Sequence, residues 1–276
     1  MLWENESIIC TVTDPPLVGV ESMLYTKDFK EKFGIVTGAA SGIGRATAIH
    51  LAQAGAGLSL VDIAEEQLSA LASEIEKANL PRPLAVTANV SSEVDVERFA
   101  RATLAAFGRI DFLVTSAGIL RRTAFQEIQP DEWDLVLAVN LRGTYLCCKA
   151  VVPIMIKQGR GTIVNVASLA GRSASVLGGA HYTASKHGVV GLSRHMAREL
   201  GPCSIRVNAF CPGGTLTPMV EQATPPEEME ATAAKWPLRR WATPEEQARV
   251  IAFLLSDESS FITGAAIDSN GGALMV

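Results

Sequence analysis

Thr37-Gly38-Ala39-Ala40-Ser41-Gly42-Ile43-Gly44 is the stretch whose reading decides the fold. It lies between a short apolar run, Gly34-Ile35-Val36-Thr37, and a segment from Gly42 to Ala54 that reads as a helix. Glycines in such a loop let the backbone turn tightly and approach a pyrophosphate. The start of the helix adds free N–H groups and the positive end of its dipole. Glycines also mark ordinary turns. The strand before this loop and the helix after it favour the phosphate reading.

The pattern continues on both sides of the loop. Leu58–Asp62, Leu84–Thr87, Ile110–Thr115, Gly161–Ala167, Ile205–Ala209 and Ala265–Ile267 read as further strands. Helices are expected at Ala64–Lys77, Ser92–Phe107, Asp131–Gln158, His181–Leu200 and Pro244–Leu255, with Pro153 expected to end or kink the long one. Alternation of this kind predicts an α/β fold: a single-domain, doubly wound parallel sheet of Rossmann type, in three layers. No linker divides residues 29–276, and no internal repeat is present. Residues 214–242 break the rhythm. They are rich in Thr, Pro and Glu, hold Trp236 and Trp241, and read as a substrate lid. Residues 1–28 show no clear period and read as a flexible tail, although Ile8–Val12 has the composition of a short strand. They lack a basic segment followed by an apolar core, so they are not read as a signal peptide.

Composition narrows the function classes. The 276 residues are 48% hydrophobic, enough for one large core. The net charge is −5 and no basic stripe stands out, which argues against nucleic acid and anionic membrane as partners. The apolar stretches read as too short for a membrane-spanning helix. The five cysteines, Cys10, Cys147, Cys148, Cys203 and Cys211, include no CxxC pair and read as inert thiols, Cys147 and Cys148 facing the core. The expectation is a soluble protein of the cytoplasm. The four histidines form no metal-spaced pair, and no metal is expected.

Asp62 closes the second strand, 18 residues beyond Gly44. An acid there can hydrogen-bond the adenosine ribose and repels a 2′-phosphate. The next residues, Ile63 and Ala64, bring no compensating cation, so NAD(H) is favoured over NADP(H). Asp62 could equally cap the helix at Ala64. The loop spacing, Gly-x3-Gly-x-Gly, departs from the common Gly-x-Gly-x2-Gly pattern. At this point the sequence resembles the short-chain dehydrogenase/reductase family, and the resemblance runs from about Lys32 to Gly272.

Tyr182 and Lys186 stand four residues apart on a predicted helix, and so on one face. A free tyrosine has a pKa of about 10 and is a poor base near neutrality. Lowering that by two to three units needs roughly 3–4 kcal/mol, which Lys186 and an oxidised nicotinamide could supply in a water-poor site. Ser168 follows the fifth strand, where its hydroxyl can donate to a substrate oxygen. Asn140 lies on the long helix, where a buried amide needs partners; a water leading to Lys186 would serve. Each residue alone has an ordinary structural explanation. In this family Asn, Ser, Tyr and Lys form the catalytic tetrad, and the resemblance carries those roles to Asn140, Ser168, Tyr182 and Lys186.

The resemblance also implies cofactor contacts. They begin at Gly38, Ser41, Gly42, Ile43 and Gly44 of the loop, and at Asp62 and Ile63. Ser116-Ala117-Gly118 is similar to the family's Asn-Ala-Gly, and Asn89-Val90 to its Asp-Val beside the adenine. Pro212-Gly213-Gly214-Thr215-Leu216-Thr217 is similar to its Pro-Gly-x3-Thr, with Pro212, Gly213, Thr215 and Thr217 expected to meet the nicotinamide and phosphates. Tyr182 and Lys186 complete the set. Thr263-Gly264 and Asp268–Gly272 are similar to its C-terminal elements, with Ser-Asn inserted.

The expected activity is NAD(H)-dependent hydride transfer between a secondary alcohol or ketone and the cofactor, with Tyr182 as acid/base. Met219, Met229, Trp236 and Trp241 hint at an apolar substrate. One alternative is a 3-oxoacyl-carrier-protein reductase, for which Arg121 and Arg122 would be the carrier patch. A non-catalytic NAD-binding protein is the other. His181 is expected at the pocket mouth, and His187 and His195 in packing or solvent roles. Translation from Met23 is expected to yield a complete enzyme, and the family resemblance implies a homotetramer.

Overall fold

The protein is described by a computed structural model covering residues 29–276. The readings of residues 1–28, with Ile8–Val12, Cys10 and the start at Met23, lie outside the described residues. Seven strands form one parallel sheet: β1 (Phe33–Thr37), β2 (Gly57–Asp62), β3 (Leu84–Thr87), β4 (Phe112–Thr115), β5 (Gly161–Val166), β6 (Ile205–Pro212) and β7 (Ala266–Ser269). Their order is β3-β2-β1-β4-β5-β6-β7. The chain therefore winds one way from β1 and the other way from β4, with Thr37 paired to Val61 on one side and to Thr115 on the other. In open α/β sheets this switch point, at the carboxyl ends of the strands, is where a ligand crevice forms.

The helices are α1 (Gly42–Gln53), α2 (Glu65–Lys77), α3 (Glu93–Phe107), α4 (Pro130–Leu137), α5 (Gly143–Gln158), α6 (Ala180–Leu200), α7 (Pro218–Ala223), α8 (Pro226–Ala233) and α9 (Pro244–Leu255). Strand residues alternate between the two sheet faces. Val36, Val114 and Val164 pack in a core with Leu51, Leu71 and Ile251 from α1, α2 and α9. Ile35, Leu113 and Ile163 pack in another with Phe99, Val151 and Met196 from α3, α5 and α6. Both faces are covered, so the central strands are buried on both sides, and their few polar residues, such as Ser59, Thr115 and Asn165, are buried too. Cys147 and Cys148 are buried in the second core, as expected. The helix starts follow their caps. Ser92 accepts from Asp95 N–H ahead of α3, and Thr243 with Glu246 forms a reciprocal capping box ahead of α9.

The long helix departs from expectation in two ways. Pro153 neither ends nor interrupts it; α5 runs on to Gln158. The irregularity lies at Ala138–Arg142, a π-helical turn between α4 and α5 that carries the buried Asn140. The continuous segment Pro130–Gln158 has a mean hydropathy of 1.5 over its most apolar stretch, which by length and composition suffices to cross a membrane. That corrects the reading of the apolar stretches as too short. The segment has 44% of this stretch buried in the protein, with Leu146, Val151 and Met155 in the second core, as a core helix does.

A buried polar link fixes α6 against the sheet. Asn165 of β5 accepts from Thr115 Oγ1 at 2.8 Å and donates to Ser193 Oγ on α6 at 2.9 Å. All three side chains are buried. Asn165→Leu would leave both hydroxyls without this partner in the core. It is expected to destabilise the fold by about 1–3 kcal/mol, measured as a lower denaturant midpoint at unchanged slope.

Candidate active site

A cavity of about 450 Å³ opens at the switch point, along the carboxyl ends of the strands. The glycine loop forms one wall. Gly42 has φ +52°, a conformation that side chains rarely adopt, and a Cβ there would stand 3.1 Å from Thr217 Cγ2. A Cβ at Gly44 would overlap the Gly38 carbonyl oxygen, so Gly44 brings α1 hard against the loop. The loop is tied to β2 by Ala39 N–H to the Val61 carbonyl at 3.2 Å. The Ser41 side chain caps none of the first N–H groups of α1. This helix start therefore faces the cavity as a cradle for an anion.

Asp62 stands at the end of β2 and lines the same cavity, beside the exposed Ile63. One carboxylate oxygen accepts from Ala40 N–H at 2.9 Å and the other from Ala64 N–H at 3.0 Å. Each oxygen has a second lone pair directed elsewhere. Asp62 therefore braces the loop and the entry to α2 while leaving acceptors for a vicinal diol. The N-cap of α2 is Ala64, with no side-chain cap, so Asp62 supports the approach to the helix rather than capping it as the sequence suggested.

Ser41, Asn89, Val90, Ser116, Ala117, Gly118, Pro212 and Thr217 line the cavity with the loop residues Gly38, Gly42 and Ile43. Asn89 Oδ1 is already engaged by Ser91 N–H and Oγ, at 3.0 and 2.8 Å. Its NH2 group, not its oxygen, is what it has left for a ligand. Thr215 is the main departure. It is buried, does not line this cavity, donates to the Gly213 carbonyl and accepts from Gln247 at 3.1 Å. Its bridge pairing to Ala242 turns it into the protein. Gly213 and Ser168 line a second, smaller cavity, and Gly44 lies beneath the loop rather than on the wall.

Tyr182 and Lys186 project from α6 into the cavity. Lys186 is buried and its Nζ donates to the Val166 carbonyl at 2.9 Å. Burial lowers its ammonium pKa to about 8. Burial of the hydroxyl end of Tyr182 raises the phenol above its ordinary value, against a lowering hydrogen bond from Ser168. Lys186 Nζ lies 5.8 Å from the Tyr182 ring centre. The lowering of the Tyr182 pKa expected from the sequence is thus not a property of the protein alone. Asn140 does not reach the cavity. Its side chain takes Ile119 N–H at 2.8 Å and gives to the Ile119 carbonyl at 3.0 Å and to Ser185 Oγ at 3.2 Å. Its amide hydrogens clamp the segment after β4 to α6.

The second cavity, about 110 Å³, adjoins the first at Tyr182, Pro212 and Met219. Its walls are largely apolar, with Leu120, Val176 and Trp236 among them. Leu120 and Val176 were missed in the sequence, because nothing in their spacing distinguishes pocket from core. Residues 214–242 form α7 and α8 and a turn in which Trp236 and Trp241 pack edge to face, centroids 4.9 Å apart. Trp241 also lines this cavity and donates to the Met229 carbonyl at 3.0 Å, so Met229 supports the wall from behind. Arg122 is not a free surface cation. It grips Glu228 of α8 through both guanidinium nitrogens, the shorter contact being 2.6 Å, and also reaches the Ala223 carbonyl. Only Arg121 of the pair lines the larger cavity. His181 lines neither cavity and is fully buried, contrary to expectation. His187 and His195 are exposed on α6.

These residues suit a dinucleotide: an anion cradle, a carboxylate at the far end and a Tyr–Lys pair beside an apolar pocket. The comparisons with known proteins agree. A family profile described as enoyl-(acyl carrier protein) reductase matches residues 38–273. The chain is 42% identical over 245 residues to the 3-oxoacyl-(acyl-carrier-protein) reductase FabG of Thermotoga maritima, covering 88% of this chain and 98% of that protein. It is 41% identical over 257 residues to the levodione reductase of Leifsonia aquatica, covering 90% and 96%. A crystal structure of a 3-oxoacyl-(acyl-carrier protein) reductase with bound NAD from Brucella melitensis matches with a TM-score of 0.84 at 35% identity, over 91% of this chain and 95% of that one.

Proposed function

The chain belongs to the short-chain dehydrogenase/reductase family, oxidoreductases of CH–OH and keto groups, and we propose that it uses NAD(H) to interconvert a small apolar secondary alcohol and its ketone. One observation carries the reading. A single cavity holds the Asp62 carboxylate and the Tyr182–Lys186 pair, and the apolar pocket opens beside that pair. The nicotinamide, when bound, supplies the hydride acceptor or donor. Gly38, Ser41, Gly42 and Ile43 would hold its phosphates and Asp62 its adenosine ribose. Ala117, Gly118, Pro212 and Thr217 would border the rest.

The remaining chemistry belongs to this chain. Tyr182 takes the hydroxyl proton in oxidation and returns it in reduction. Ser168, which lines the smaller cavity together with Tyr182, holds the substrate oxygen. Lys186 brings positive charge beside the phenol and favours its ionised form. Asn140 keeps the strand-end segment and α6 in register. The test is turnover with NADH and NADPH over cyclic and linear ketones. Faster turnover of 3-oxoacyl thioesters with NADPH would instead favour the carrier-protein reductase named among the relatives. The grip of Arg122 on Glu228 opposes that reading, since it removes one cation from the carrier patch. NAD binding without turnover over a broad panel would favour a binding protein.

The same grip ties the lid to the segment after β4. A part-exposed bidentate pair is worth about 1 kcal/mol or less, so Arg122→Ala is expected to raise the substrate KM about two- to fivefold at unchanged cofactor KM. Adding Glu228→Ala should cost nothing more, which a double-mutant cycle reads directly. A homotetramer and a cytoplasmic location remain the expectation. The exposed Phe261 and Met275 near the C-terminus are consistent with an interface, and sedimentation velocity checks it.

A further inference from the structure

His181 precedes Tyr182 and is buried to 0% exposure. Its Nδ1 accepts the Tyr182 backbone N–H at 2.9 Å, and its Nε2 lies 2.8 Å from Glu132 Oε1 on α4. Acceptance at Nδ1 fixes the neutral tautomer, so Nε2 carries the proton and donates to the carboxylate. Glu132 is held in turn. A hydrogen bond with the Thr123 side chain, followed by the one with His181, keeps its carboxyl below the usual range. The Trp133 ring stacks against the imidazole, centroids 6.5 Å apart.

The position of Tyr182 makes this contact matter. Tyr182 is the third residue of α6, and the first four N–H groups of a helix have no partner within it. A Ser, Thr or Asp at the N-cap ordinarily supplies one. Here the N-cap is Gly179, and a Cβ there would stand 2.7 Å from the Thr123 carbonyl oxygen and 2.8 Å from His181 Cε1. Packing excludes the ordinary cap, and the imidazole takes its place. The other end of the same residue is also held: the Tyr182 carbonyl accepts from Ser185 Oγ at 2.7 Å, and that hydroxyl accepts from Asn140.

We propose that His181 and Glu132 form a positioning pair that fixes the backbone of Tyr182, and with it the place of the phenol at the head of α6. This rests on the reading of Tyr182 as the acid/base. Neither residue touches reacting atoms; both act through the tyrosine.

The test compares His181→Leu, His181→Asn and Glu132→Ala with Tyr182→Phe as the reference, each checked for fold by circular dichroism. His181→Leu keeps apolar bulk but removes the acceptor. It is expected to lower kcat about tenfold or more and to shift the pH profile of kcat, with dinucleotide Kd within about twofold. His181→Asn, whose Oδ1 can stand where Nδ1 stood, should recover most of kcat. Glu132→Ala should fall between the two. Wild-type kcat and pH profile in His181→Leu would overturn the proposal, as would His181→Asn being no better than His181→Leu. If His181→Leu does not fold, Glu132→Ala decides: a lowered kcat with a shifted profile supports the pair, and wild-type behaviour overturns it. Turnover by Tyr182→Phe would sink the acid/base assignment itself. An inactive Tyr182→Phe beside an unimpaired His181→Leu would sink only the pair.

Discussion

Tyr182→Phe is expected to lose about 10²–10⁴ in kcat, the range that a positioned acid/base contributes, while cofactor Kd stays within about twofold. Tyr182 lines both cavities, and its phenol is the group proposed to exchange the proton. Removing one oxygen leaves the ring, the glycine cradle and Asp62 in place. Dinucleotide binding should therefore survive, and isothermal titration would show it. The loss should fall on kcat rather than KM, because a missing proton transfer raises the transition state without weakening the ground-state complex. Turnover within tenfold of wild type would show that another group, or solvent, moves the proton.

The second large effect is expected at Asp62. Asp62→Asn removes the charge that opposes a 2′-phosphate. The NADH-over-NADPH preference in kcat/KM should drop about ten- to a hundredfold, corresponding to roughly 1.4–2.8 kcal/mol. The variant should also be less stable. The carboxylate accepts two backbone N–H groups, from Ala40 and Ala64. An asparagine can accept only one of them at a time through its single oxygen and would set its NH2 against the other. Losing one charge-assisted hydrogen bond costs about 1.5–3 kcal/mol, readable as a lower Tm. Unchanged cofactor preference together with lowered stability would mean that Asp62 only braces the loop.

Much of this was legible before any coordinates. The glycine loop, the Tyr182–Lys186 spacing and Asp62 at a strand end are local patterns with a physical reason at each position. The structure brings them to one cavity. What was missed depends on distant neighbours. Thr215 follows a loop pattern yet turns inward because Gln247 of α9 offers a buried hydrogen bond. Arg122 read as a free cation because its partner, Glu228, stands 106 residues away. The partners of the Asn140 amide, the Ile119 peptide and Ser185 Oγ, were not legible either, because they lie 21 and 45 residues away. His181 read as a pocket residue because nothing nearby in the sequence announces Glu132 as its partner.

The sequence by itself determined the alternation of strand and helix, and hence the doubly wound sheet. Those choices follow from the apolar period and the turn chemistry of short segments. It also determined the chemical types at the site, because a glycine loop at a helix start, a strand-end carboxylate and a helix-spaced Tyr–Lys pair are each written within a few residues. Only the tertiary structure decided which polar groups face the cavity and which are taken up by the protein. A side chain's hydrogen bonds go to whatever partner the fold brings within about 3 Å, and folding brings together residues that the chain keeps far apart. The imidazole of His181, inside the protein with Tyr182 on one nitrogen and Glu132 on the other, is decided at that level.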